Sequence, residues 1–240
     1  MRIPAGIFGL AVGMTVALQG CEVSSPSEAG GGLESVVERL SLDLCDPGQG
    51  GFSTTSTNPY FPLVVGTKKV FQGQEGGDAI QLEIEVLNEE EKVSKVTTRV
   101  VEELELVNGD TLEVSRNFFA QASDGTVCYF GEEVNIHNPD GTISHEGAWR
   151  ADAAGNGPGI IMPAAPRPKL QYQMEDAPGV ALDEGTIVAS GPVTVPLARY
   201  TETIRVREFN PLDGGKGIKV FAKNVGLIVD DVVELVSISP

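Results

Sequence analysis

The chain has 240 residues and is strongly acidic: 34 Asp and Glu stand against 17 Lys and Arg, a formal net charge of −17. A surface of that sign repels nucleic acid and anionic lipid headgroups, which argues against a nucleic-acid partner. The length suits one β-rich domain with a substantial core, or at most two small ones.

Residues 1–20 read as a secretory signal. Arg2 supplies the positive start, and the run from Ile3 to Leu18 is apolar, rich in small residues and short for a membrane span. It closes on Leu18-Gln19-Gly20-Cys21. This phrase resembles the lipobox of bacterial lipoproteins, in which the cysteine is lipidated and becomes the first mature residue. The resemblance implies lipidation at Cys21 and a membrane partner reached through that lipid. Glu22, rather than aspartate, follows the cysteine. By the same resemblance this implies the outer membrane of a two-membrane cell, facing the periplasm or the cell surface. Residues 21–32 (CEVSSPSEAGGG) are Ser-, Gly- and acid-rich and read as a flexible tether.

Residues 33–59 read as a short helix followed by loop. Leu33, Val36, Val37 and Leu40 fall at helical spacing and predict one short N-terminal helix over Leu33–Leu40. Gly, Ser, Thr and Asn dominate from Asp46 to Pro59. If Cys21 carries lipid, Cys45 and Cys128 remain as an even pair in an oxidising compartment, which predicts a disulfide between them.

Residues 60–240 read as strand after strand. Ile80, Leu82, Ile84 and Val86 alternate with Gln81, Glu83 and Glu85, which predicts one dry and one wet face. Val96, Thr98 and Val100 alternate with charged and polar neighbours, and Leu104 and Leu106 alternate with Glu103 and Glu105. Glu89-Glu90-Glu91 reads as a solvated hairpin tip. Further alternations run through Leu112 and Val114, Val127 to Phe130, Ile204 and Val206, Ile218 and Val220, Leu227 and Val229, and Val233 and Leu235. Turn phrases separate them: Asn108-Gly109, Asp124-Gly125, Asn138-Pro139-Asp140-Gly141 and Asp213-Gly214. The pattern predicts a mainly β single domain built on a curved antiparallel sheet: a half-barrel, open barrel or sandwich. One long irregular segment, Ala151 to Pro168, carries the apolar run Ile160-Ile161-Met162. A loop of that length either contributes to function or packs across an open end, so these three residues are candidate contacts for a hydrophobic ligand or simply a cap on the core.

Asn58-Pro59-Tyr60-Phe61-Pro62-Leu63, followed by Gly66-Thr67, resembles the opening of a widespread group of secreted β-rich bacterial envelope proteins. Tyr129-Phe130-Gly131, Pro158-Gly159-Ile160-Ile161-Met162-Pro163, Pro178-Gly179-Val180-Ala181 and Val225-Gly226-Leu227-Ile228 extend the resemblance to nearly everything from Tyr60 to Ile238. Where that group usually carries aromatic residues after Gly-Thr, this chain has Lys68, Lys69 and Val70 before Phe71. The resemblance implies a curved, mostly antiparallel β domain and no particular reaction.

Catalytic motifs are missing. The sequence has no Gly-x-Ser-x-Gly elbow, no His-Glu-x-x-His and no Walker loop, and no EF-hand spacing joins its aspartates. The two histidines flank one turn. If Asn138 pairs with Thr142, His137 falls opposite Ile143 and His145 opposite Asn135, which puts both on one face with Glu133. Glu133, His137 and His145 are therefore a candidate two-histidine, one-carboxylate metal site. The leading expectation is a non-enzymatic envelope lipoprotein that needs no cofactor and binds a hydrophobic small molecule or another envelope protein. The alternatives are a structural scaffold of the envelope, and a metal binder or metal-dependent hydrolase.

Overall fold

The computed structural model describes residues 37–240. The signal segment 1–20, Cys21, the tether 21–32 and the first half of the predicted helix lie outside the described residues. The chain is mainly β, as its alternation predicts. In chain order the strands are β1 (Glu38–Arg39), β2 (Lys68–Glu75), β3 (Asp78–Val93), β4 (Val96–Val107), β5 (Asp110–Gln121) and β6 (Val127–His137). They continue with β7 (Ile143–Ser144), β8 (Trp149–Arg150), β9 (Gly159–Met162), β10 (Leu170–Gln173) and β11 (Glu184–Ser190). The last are β12 (Val193–Thr194), β13 (Arg199–Tyr200), β14 (Thr203–Phe209), β15 (Lys216–Ala222), β16 (Gly226–Asp230) and β17 (Val233–Ser239).

All but β12 and β13 join one large sheet in the order β1-β10-β11-β14-β15-β16-β17-β2-β3-β4-β5-β6-β7, with β8 and β9 also pairing with β6. Only β1–β10 is parallel, so the sheet is mixed by a single pair. The predicted turns stand where expected. Asn108 and Gly109 both take positive φ (53° and 91°) between β4 and β5, the twist a two-residue hairpin demands. The sheet curls until its ends approach. Gly157, just before β9, bridges Asp176, just after β10. Gly159 lies so close to that edge that a Cβ would sit 1.9 Å from the Met174 carbonyl oxygen. The sheet nevertheless remains open and does not close into a barrel.

Two expectations need correction. The last part of the predicted helix is extended: Glu38 and Arg39 pair in parallel with Leu170 and Gln171, and the Leu40 amide donates to the Gln171 carbonyl at 2.9 Å. Four apolar residues at helical spacing are too few to nucleate a helix against an available sheet edge. Glu89-Glu90-Glu91 is not a hairpin tip but part of β3, where Glu89 meets Arg116, Glu90 meets Arg99 and Glu91 meets Arg150. Ser94 and Lys95 make the turn instead.

Cys45 and Cys128 form a disulfide across 83 residues, and both are fully buried. Closing a loop of that length stabilises the fold by about 4 kcal/mol, through the entropy of the unfolded chain. It ties the short 3-10 turn Leu42–Cys45 to β6. Beside it the core is aromatic: Phe119 stacks on Tyr129 at 4.9 Å, and Tyr129 meets Trp149 edge-on at 5.1 Å.

Candidate functional site

The concave face of the sheet has two unlike ends, both set by cross-strand register. Directly opposed residues share a face. One row runs Lys69, Ile84, Glu103, Ser115, Val134, and the next runs Phe71, Leu82, Glu105, Glu113, Ile136. The register that buries Leu82 and Val86 therefore also carries Glu103 and Glu105 inward. It leaves Leu104 and Leu106 only half-buried on the opposite face. The expected dry and wet faces of this part of β4 are reversed. On β15 the expected wet-face residue Lys219 is also buried, only 3% exposed, and shares its row with Val206, Asp230 and Val233, while Val220 on the other face is buried as expected.

At one end lies a pocket of about 260 Å³. Phe61, Leu63, Val86, Val101, Phe119, Phe221 and Leu227 supply most of its wall, with Ile84 between strands and Val64 and Ile238 more exposed. The wall depends on the Asn58–Leu63 phrase. Asn58 is buried and donates through Nδ2 to the carbonyls of Gly125 (3.0 Å) and Pro163 (2.9 Å), while its Oδ1 accepts from the Tyr60 amide (3.0 Å). That clamp sets Phe61 edge-on to Phe119 at 5.0 Å. Among the described residues the charged lining residues are Lys69, Glu103 and Lys219. The Lys69 ammonium donates to the Val225 carbonyl, and no carboxylate of the described residues lies within ion-pair distance of it. Burial pushes its amine down to about 8, which leaves it mostly protonated at neutral pH.

Beyond Glu103 and Lys219 the interior is polar. Eight carboxylates are buried among the described residues: Glu103, Glu105, Glu113, Glu132, Glu175, Asp183, Glu208 and Asp230. Lys219 is the cation set among them, 2.7 Å from Glu208 and 3.0 Å from Asp230. Desolvation, then mutual repulsion, raises Glu105 and Glu132 to about 8, and holds Glu103 and Glu175 well above the usual carboxylate range. Desolvation also raises Glu208 to about 7 and Asp183 to about 6, against the pull of Lys219. Much of this end is therefore neutral at neutral pH, which is how so many acids fit in one interior. Oxygens of Glu103, Glu175, Asp183 and Glu208 and the Tyr172 hydroxyl have no hydrogen-bond partner there.

The candidate residues read from sequence fall elsewhere. His137 does pair with Ile143, and Gly141 takes positive φ (84°) in the expected turn. The three candidate metal ligands are not brought together, however. The His145 ring Nδ1 lies 2.6 Å from the Val134 carbonyl oxygen, and Glu133 faces Arg150 at 3.6 Å. Among the described residues no group of three or more His, Cys, Asp or Glu side chains is placed to hold a metal ion. Ile160, Ile161 and Met162 are fully buried on β9, which pairs with Val127–Tyr129, and are not among the residues that line the pocket. The pocket wall, by contrast, draws on Phe61, Pro62, Leu63, Thr67 and Lys69, none of which the sequence reading singled out as a ligand contact. No family model matches the chain, and comparison with curated proteins and with solved structures returned no match.

Proposed function

We propose that this protein is a non-enzymatic, lipid-anchored envelope protein that binds a hydrophobic small molecule in the pocket beneath the Asn58–Leu63 segment. The supporting observation is the pocket itself. Its volume, about 260 Å³, is far beyond a single water, and its wall is mostly aromatic and aliphatic. Among the described residues its lining includes no histidine, cysteine or serine. Among the described residues no helix is long and apolar enough to cross a membrane. Anchoring is assigned to Cys21, on the strength of the lipobox-like phrase alone.

Native mass spectrometry of the protein, purified gently from its own host, tests the binding. A discrete added mass that is lost on denaturation is expected. A bare mass, together with failure of an apolar fluorescent dye to bind, would overturn the reading. For the anchor, Cys21→Ala is expected to release the protein from membranes; a variant that still sediments with them contradicts lipidation at this residue.

A further inference from the structure

We infer that the ligand is an amphiphile with an oxyanion head, and that its carboxylate or phosphate is taken by the Lys69 ammonium while its tail fills the apolar pocket. The inference rests on the binding role proposed above and specifies the chemical class of the ligand.

The reasoning starts from charge. In a chain with twice as many acids as bases, a lysine partly withdrawn from solvent has many possible partners. Lys219 has taken two of them. The neighbouring Lys68, on the opposite face of β2, holds Glu83 at 2.6 Å. Lys69 has none among the described residues; its amine rests on a main-chain carbonyl. Lys69 is half-buried, and an ammonium resting on one neutral acceptor retains donors for a further acceptor. An ionised oxygen there makes a shorter, stronger bond than a neutral one.

Position points the same way. Lys69 and Glu103 lie on one row with Ile84 between them, roughly 10 Å apart across three strands. Burial holds the Glu103 carboxyl well above the usual carboxylate range, and one of its oxygens has no hydrogen-bond partner among the described residues, so its repulsion of an anion is weakened. Lys219 is already neutralised by Glu208 and Asp230. Lys69 is thus the lining cation with no carboxylate at ion-pair distance among the described residues. A ligand that is only apolar would bury that charge further without compensation; an anionic head compensates it. Val64 and Ile238, 61% and 41% exposed, extend the apolar wall towards solvent, where a tail enters.

Calorimetric titration of the purified protein at neutral pH with decanoate, decyl phosphate, decan-1-ol and acetate tests this. One of the two charged amphiphiles is expected to bind about 10-fold or more tighter than decan-1-ol. Which one does so identifies the carboxylate or the phosphate as the head. Acetate is expected not to bind measurably. Lys69→Met is expected to abolish the preference for the charged head while leaving decan-1-ol binding within about 3-fold, which also shows that the variant folds with its pocket intact. The inference is overturned if decan-1-ol binds as tightly as both charged amphiphiles, if Lys69→Met keeps the preference, or if acetate matches decanoate. Failure of every ten-carbon probe would overturn the binding role itself, a result distinct from these.

Discussion

The two ends of the concave face are built from the same strands and obey opposite rules. Around Phe61, Phe119 and Phe221 the inward positions are apolar and leave an unfilled pocket. Further along the same strands Glu103, Glu105, Glu113, Glu132, Glu208 and Asp230 are buried, with Glu208 and Asp230 paired to Lys219. The contrast shows that burial in this fold follows register. A strand that places Val101 inward must also place Glu103 and Glu105 there, two and four residues later. The cost is met by protonation and by one lysine. The apolar end is thereby left free to remain open at little electrostatic cost.

The comparison breaks most easily at Lys219. Lys219→Met is expected to destabilise the domain at neutral pH by about 3–5 kcal/mol, because Glu208 and Asp230 lose their shared counter-charge inside the protein. Urea denaturation measures it. The deficit should shrink towards pH 5, where the two orphaned acids protonate; a loss that does not vary with pH would point to packing alone.

A pH series on the unmodified protein sharpens the same contrast. The buried acids hold their protons in the folded state to higher pH than in the unfolded chain: Glu105 and Glu132 to about 8, and Glu208 to about 7. Unfolding therefore releases protons between the unfolded carboxylate range and about pH 8. The stabilisation is complete below that range and is lost as pH rises through the folded values. Lys69 shifts the other way, but its effect lies above about pH 8 and leaves this window untouched. Each acid that keeps its proton contributes about 1.4 kcal/mol per pH unit, so stability is expected to fall by at least about 4 kcal/mol from about pH 5 to 8.5, or roughly 10 °C or more in Tm. A flat or rising Tm over that range would mean that the carboxylate end is ionised and hydrated.

At the apolar end the expected effects are on binding more than on stability. Ile84→Trp places bulk in the pocket between Lys69 and Glu103 and is expected to cut binding of decan-1-ol at least about 10-fold while changing stability by less than about 1.5 kcal/mol. Smallest of all, Lys68→Ala removes an outer-face ion pair with Glu83 and should cost less than about 1 kcal/mol and leave binding unchanged. Adjacent lysines with such different consequences would confirm that the face, not the charge, decides the role.

Much of the fold was legible because period two is local. The alternation at Ile80–Val86, the turns at Asn108-Gly109 and Asn138–Gly141, and the Cys45–Cys128 pairing all stand in the structure as read. The face of a strand is not local. Leu104 and Leu106 look like core residues beside Glu103 and Glu105, and only the cross-strand partners Ile84 and Leu82 reverse them. The site was hidden for the same reason: its wall is gathered from the loop after Asn58 and from strands far apart in sequence. The most apolar short run, Ile160–Met162, went instead to closing the core beside the disulfide. The last part of the predicted helix is extended because Glu38 and Arg39 join the edge of β10.

The most direct test of the pocket assignment is a methyl-resolved NMR titration of the protein with decan-1-ol. Chemical-shift changes are predicted to concentrate on Leu63, Ile84, Val86, Val101 and Leu227, with Ile160, Ile161 and Leu170 unmoved. Changes confined to the surface methyls of Val180, Val188 or Leu212, or no changes at all, would contradict the account.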